Sequence, residues 1–138
     1  MIILDTNVVS ELLRPVPDER VVAWVRAQRQ SSLFTTVITR GEMLFGVCLL
    51  PEGRRRQELL REVIAVFSDD MAERVLDFGS EAADAYAEIA ATRRSQGRPV
   101  SQSDAMIAGI ARSRGADLAT RNVRDFESCG VTLINPWQ

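Results

Sequence analysis

Short apolar runs alternate along this chain with segments whose apolar residues recur every three or four positions, and that alternation limits the fold more than any other feature. Residues 2–5, 33–37, 75–78, 118–120 and 131–134 read as strands. Between them lie helical patterns. Val8, Val9, Leu12 and Leu13 share a stripe that Arg14-Pro15 stops, and Val21, Val22, Trp24 and Val25 form a second. Residues 39–50 make a strongly apolar helix, and Leu59, Leu60, Val63, Ile64 and Phe67 a stripe behind Arg54-Arg55-Arg56. Ala82, Ala83, Tyr86, Ile89 and Ala90 lead to Gly97; residues 101–114 form a small-residue helix stopped by Gly115. Strands alternating with helices predict an α/β fold, a parallel sheet with helices on both faces. Such sheets bind ligands at the carboxyl ends of strands, near the point where strand order reverses.

No repeat or linker divides the chain, so one domain over residues 1–138 is expected, large enough to bury roughly two-thirds of its unfolded surface. The chain contains no His and no Lys. The first absence excludes Ser-His-Asp and Cys-His nucleophile schemes and His-ligated zinc; the second excludes P-loop and Schiff-base chemistry. All 17 basic residues are Arg, against 19 acids, and the net charge of −2 is not that of an obvious nucleic-acid binder. Cys48 and Cys129 stand far apart, as reduced thiols of a cytoplasmic protein would. Neither a signal peptide nor a run approaching the ~18 residues of a membrane span is expected.

Asp5 follows an unbroken apolar run, which aims it into the crevice of a parallel sheet; a helix-start carboxylate is the plainer reading. No glycine-rich turn follows, as a dinucleotide binder would require, and Asn7 stands where a phosphatase would need a second Asp. Glu42 in Thr39-Arg40-Gly41-Glu42 and Asp104 in Ser101-Gln102-Ser103-Asp104 each fit a capping box, so each reads equally well as a cap or as a functional acid. Asn122 and Asp125 fall in the loop after the fourth strand, where ordinary turn formers also belong.

Taken in order, five segments make the chain resemble the PIN-domain ribonucleases of the VapC type. They are Ile3-Leu4-Asp5-Thr6-Asn7, Glu42-Met43-Leu44-Phe45-Gly46, Ser103-Asp104-Ala105-Met106-Ile107-Ala108, Ala119-Thr120-Arg121-Asn122 with Asp125-Phe126, and Ile134-Asn135-Pro136-Trp137. The resemblance implies a three-layer α/β/α sandwich and endonucleolytic cleavage of RNA, commonly transfer or ribosomal RNA. It implies Mg²⁺, or Mn²⁺, held by Asp5, Glu42 and Asp104, with Asn122 and Asp125 at the place of a fourth acid. It also implies a VapB-like antitoxin and a homodimer with apolar surface from the early helices at its interface.

Carboxylates brought together repel one another, and a hard divalent cation relieves that repulsion while making water easier to deprotonate without any His. Thr6, Asn7, Thr120 and Asn122 are candidates to orient ligands. Acids repel RNA, so arginines must attract it; Arg40, Arg93, Arg94 and Arg98 are candidate phosphate contacts, with solvated surface the competing reading. Arg54-Arg55-Arg56 reads as a solvated helix start or a patch for an acidic tail, and Val8, Leu12, Leu13 and Trp24 as core or as a groove for an antitoxin helix. A nuclease for structured DNA would need insertions this length does not hold. A non-catalytic module binding RNA or a partner is the competing function, supported by Asn122 and the acidic balance.

Overall fold

The computed structural model describes residues 1–138. Five parallel strands form its sheet: β1 (Ile2–Leu4), β2 (Leu33–Thr36), β3 (Val75–Leu76), β4 (Asp117–Ala119) and β5 (Leu133–Ile134), in the order β3-β2-β1-β4-β5. The helices are α1 (Thr6–Leu12), α2 (Glu19–Ala27), α3 (Val37–Cys48), α4 (Arg54–Ala65), α5 (Ser80–Ser95) and α6 (Gln102–Arg114). From β1 the chain steps outward through β2 to β3, then returns to lay β4 on the other side of β1. Strand order therefore reverses between β1 and β4, and the crevice expected of such a sheet opens at their carboxyl ends.

Alternate strand residues feed opposite layers, as the two-residue period of a strand requires. Ile3, Phe34 and Leu118 pack with Ile89, Ile107 and Ile110 of α5 and α6. Leu4, Leu33 and Ala119 pack on the other face with Val8 and Val9 of α1 and Val21 of α2. Each fully buried Ile, Leu or Val contributes roughly 1.5–3 kcal/mol. Val47, Val63 and Phe67 extend the second layer beneath α3 and α4. The α5–α6 contact is so close that a Cβ on Gly109 would stand 2.7 Å from the carbonyl oxygen of Ala82, which is why α6 is built from small residues.

Two details differ from the sequence reading. The Thr39 capping box does not form. Thr36 ends β2 in an extended conformation, its hydroxyl accepts the Thr39 N–H at 3.1 Å, and α3 starts two residues early, with Thr39 buried inside it. The edge strands are shorter than expected, since Phe78 leaves the sheet to meet Tyr86 edge-on at 6.0 Å. Val8 is wholly buried, and Leu12, Leu13 and Trp24 pack against the core. The large apolar residues left exposed are Phe45 and Leu49 on α3, Leu60 and Ile64 on α4, and Met1 and Val16. The Ser101 cap is as expected: its hydroxyl accepts the Asp104 N–H at 3.2 Å, and Gly115, at φ +61°, closes the same helix. No helix is long and apolar enough to cross a membrane.

Candidate active site

Asp5 stands where β1 becomes α1. Its N–H continues the sheet by donating to the Ala119 carbonyl at 2.9 Å, and its extended backbone turns the carboxylate to cap the helix. Oδ1 accepts the Thr6 N–H at 2.8 Å; Oδ2 accepts the Thr120 hydroxyl at 2.7 Å and the Asn7 amide at 3.2 Å. Asn7 uses its own Oδ1 to accept the Arg121 N–H at 3.2 Å, and the Thr120 hydroxyl accepts the Asn122 N–H at 3.0 Å. The ends of β1 and β4 are thereby laced together around one acid. Asp5 is therefore both helix cap and crevice residue.

Glu42 lies in the second turn of α3, inside the helix rather than at its start. Its Oε1 accepts the hydroxyl of Thr6 at 2.8 Å, and Thr6 also bonds the hydroxyl of Thr39 at 3.0 Å. Asp104 sits in the first turn of α6, half-buried. Asp5, Glu42, Asp104 and Asn122 line one open cleft of about 400 Å³ at the crevice. Asp125 does not line it; it is exposed in a 3-10 turn (Val123–Phe126) whose start Asn122 forms.

The acids act on each other. Burial pushes the Asp5 carboxyl up to about 6; the Thr120 hydroxyl and the Thr6 N–H oppose the rise, and the charges of Asp104 and Glu42 add to it. Burial raises Asp104 as well, opposed by the Ser101 hydroxyl and assisted by Glu42 and Asp125. The donors are all oxygens, and their charge is only partly relieved by neighbours, which suits a hard divalent cation. No three of them stand close enough to enclose an ion unaided, so an ion held there would have to keep several of its waters.

The arginines are placed otherwise than expected. Arg93 is 4% exposed, and its guanidinium donates to the carbonyls of Arg98 and Glu127; it ties the chain together and cannot meet a phosphate. Arg98 pairs with Glu127 at 2.7 Å, and Arg40 and Arg94 lie outside the cleft. The guanidinium groups that line the cleft belong to Arg14 and Arg121. Ser10, Glu11 and Trp137 also line it and had not been anticipated. For α1 a signal existed: Asn7, Ser10, Glu11 and Arg14 fall at helical spacing and make one polar face. Glu11, 5% exposed, accepts the Asp18 N–H at 3.0 Å and holds the turn after α1. Arg121 and Trp137 fall in segments that carry the family resemblance, but no local pattern assigns either a place in the cleft.

Known proteins resemble this chain in sequence and fold. The PIN domain family matches residues 2–130. The chain is 38% identical to the VapC ribonuclease Y4jK of Sinorhizobium fredii, covering 100% of this chain and 99% of that one. It is 36% identical to the toxin FitB of Neisseria gonorrhoeae, over 99% of each chain. The crystal structure of FitAcB from that organism superposes with a TM-score of 0.92 at 36% identity, covering 100% of this chain and 99% of that one. A member of the VapBC family of toxin–antitoxin systems from Mycobacterium tuberculosis superposes at 0.70 with 25% identity, over 96% of each chain.

Proposed function

This chain belongs to the PIN-domain family, and on that footing we propose that it is a divalent-metal-dependent endoribonuclease, the toxin half of a toxin–antitoxin pair. It hydrolyses phosphodiester bonds in RNA of the transfer or ribosomal kind. The observation that carries this reading is the convergence of Asp5, Glu42 and Asp104, from three separate elements, on one cleft at the reversal of strand order.

In this reading Asp5, Glu42 and Asp104 hold the ion, Mg²⁺ or Mn²⁺. Lewis-acid stabilisation of developing charge and a water more easily deprotonated are the chemistry that such an ion supplies. The chain's own groups orient the rest. Thr120, Asn7 and the Thr6 N–H leave the Asp5 carboxylate little freedom, and the Thr6 hydroxyl turns Glu42 toward the same space. Asn122, anchored through its N–H to Thr120, presents an amide to the cleft where a fourth acid would otherwise add charge. Asp125 contributes through its field on Asp104.

The antitoxin's place is an apolar groove of about 390 Å³, lined by Leu13, Met43, Val47, Leu50, Leu59 and Val63, that runs up to Thr6 and Glu42. An amphipathic helix laid in it would bring its following segment to the acids. Support comes from the toxin–antitoxin complexes that the fold matches. The exposed Phe45 and Leu49 of α3 suit a homodimer contact better than the early helices do, because those helices bury Val8, Val9 and Val21 and half-bury their other apolar residues. The protein acts in the cytoplasm, with its RNA and its antitoxin.

Partner-free protein incubated with total cellular RNA, followed by end mapping, tests the reading. Cleavage should require Mg²⁺ or Mn²⁺. Asp5→Asn, Glu42→Gln and Asp104→Asn should each reduce it roughly a thousandfold or more, the scale of several kcal/mol of lost charge stabilisation. Folded protein without metal-dependent cleavage would leave a binding module instead.

A further inference from the structure

We infer that Arg121, stacked on Trp137, takes a backbone phosphate of the RNA at the β4 side of the cleft; this rests on the ribonuclease reading above. The cleft has a charge problem. Four carboxylates line it, those of Asp5, Glu11, Glu42 and Asp104, against the guanidinium groups of Arg14 and Arg121. The ion that Asp5, Glu42 and Asp104 would hold offsets part of that charge, and a strand carrying one negative charge per nucleotide is drawn further by a fixed positive group of the chain itself.

Arg14 is paired within its own segment, its Nη1 lying 3.4 and 3.5 Å from the two carboxylate oxygens of Glu11. Arg121 forms no ion pair with any carboxylate. Asp18 feels its charge but does not engage it: two bonds from the Arg20 side chain, at 2.7 and 3.1 Å, already hold that carboxylate. Arg121 is thus the one cleft cation left uncompensated.

It is also held in place. Its guanidinium carbon lies 5.3 Å from the centre of the Trp137 ring. That ring is 5% exposed and set in the core beside Leu4 and Val8, so it is a fixed platform. A cation–π contact places the guanidinium over the ring, and its N–H groups make no other bond and remain to donate to a phosphate. Asn7 bonds both the Arg121 N–H and the Asp5 carboxylate, each at 3.2 Å, so the phosphate-binding loop is tied to the first acid of the cleft.

The test uses Asp104→Asn protein, expected not to cut, binding a labelled single-stranded RNA oligonucleotide with Mg²⁺ present, titrated from about 50 to 200 mM salt. Adding Arg121→Gln should raise Kd roughly tenfold for RNAs of any sequence and reduce the slope of log affinity against log salt by about 0.7. Arg121→Lys keeps the charge and should keep the slope while losing part of the affinity. Arg114→Gln removes the same net charge at the far end of α6, about 15 Å of helix from Asp104, and should leave the slope nearly unchanged. Wild-type Kd and slope for Arg121→Gln, or a change no larger than that of Arg114→Gln, would overturn the inference. So would a Lys variant whose slope falls as far as that of the Gln variant, since loss of packing would then explain both. Should the wild-type protein neither bind nor cut RNA, the ribonuclease reading fails first, before any Arg121 variant is compared.

Discussion

Asp5 and Asp104 look into the same cleft, yet they are held there in opposite ways. Asp5 is almost wholly buried and takes bonds from Thr6, Asn7 and Thr120, so its carboxylate is fixed by donors. Asp104 is half-buried, and the bond at its helix start runs from its own backbone N–H to Ser101. Where Asp104 stands depends on where α6 stands, and that depends on the close contact of Gly109 with α5. One corner of the site is thus built by hydrogen bonds and the other by helix packing. The first should respond to protons and the second to volume.

The largest expected effect is on the Asp5 side. Its carboxyl is raised from 3.8 to about 6 on folding, so between those values the folded chain binds more protons than the unfolded one. Below about pH 3.8 both states are protonated and Asp5 costs nothing. The cost grows as pH rises through that window and is constant above about 6, at roughly 3 kcal/mol. Denaturant unfolding of the wild type and Asp5→Asn in EDTA, from about pH 4 to 7, reads it as a stability difference that shifts in favour of the variant as pH rises. A pH-independent difference would mean that Asp5 ionises normally.

On the Asp104 side, Gly109→Ala should cost about 2 kcal/mol, because its Cβ meets backbone that cannot step aside. It should also weaken RNA cleavage, although no cleft residue has changed, by displacing α6. Unaltered melting and cleavage would show that α6 is not positioned by this contact.

The smallest effect sharpens the comparison most. Asp104→Asn keeps the bond from its backbone N–H to Ser101 and removes one of the charges that raise Asp5. In EDTA it should melt slightly above the wild type, by less than about 1 kcal/mol. Mg²⁺ at a hundredfold excess over Kd should stabilise the wild type by about 2.7 kcal/mol and the variant by less. A variant that melts lower without metal and gains equally from Mg²⁺ would make Asp104 a helix-start residue and nothing more.

The sequence alone determined the parallel α/β framework, because strand and helix periods are written in the local spacing of apolar residues. It also determined that Asp5 ends a strand and that Ser101 caps a helix. It put the start of α3 at Thr39; the pairing of Thr36 with Leu76 at the end of β2 moved that start to Thr36, whose hydroxyl caps equally well. It left Glu42 undivided between cap and site until Thr6, 36 residues away, reached it. Arg93 and Arg94 are adjacent and alike in sequence, yet one is buried beneath the chain and the other stands in solvent. Arg121 meets Trp137 only because β4 and the segment after β5 end side by side. Periodicity is a property of neighbours along the chain, whereas the partner of a charged group is chosen among residues that only the closing of the fold brings near. Tertiary packing therefore decided which acids share the cleft and which arginine is free to face it.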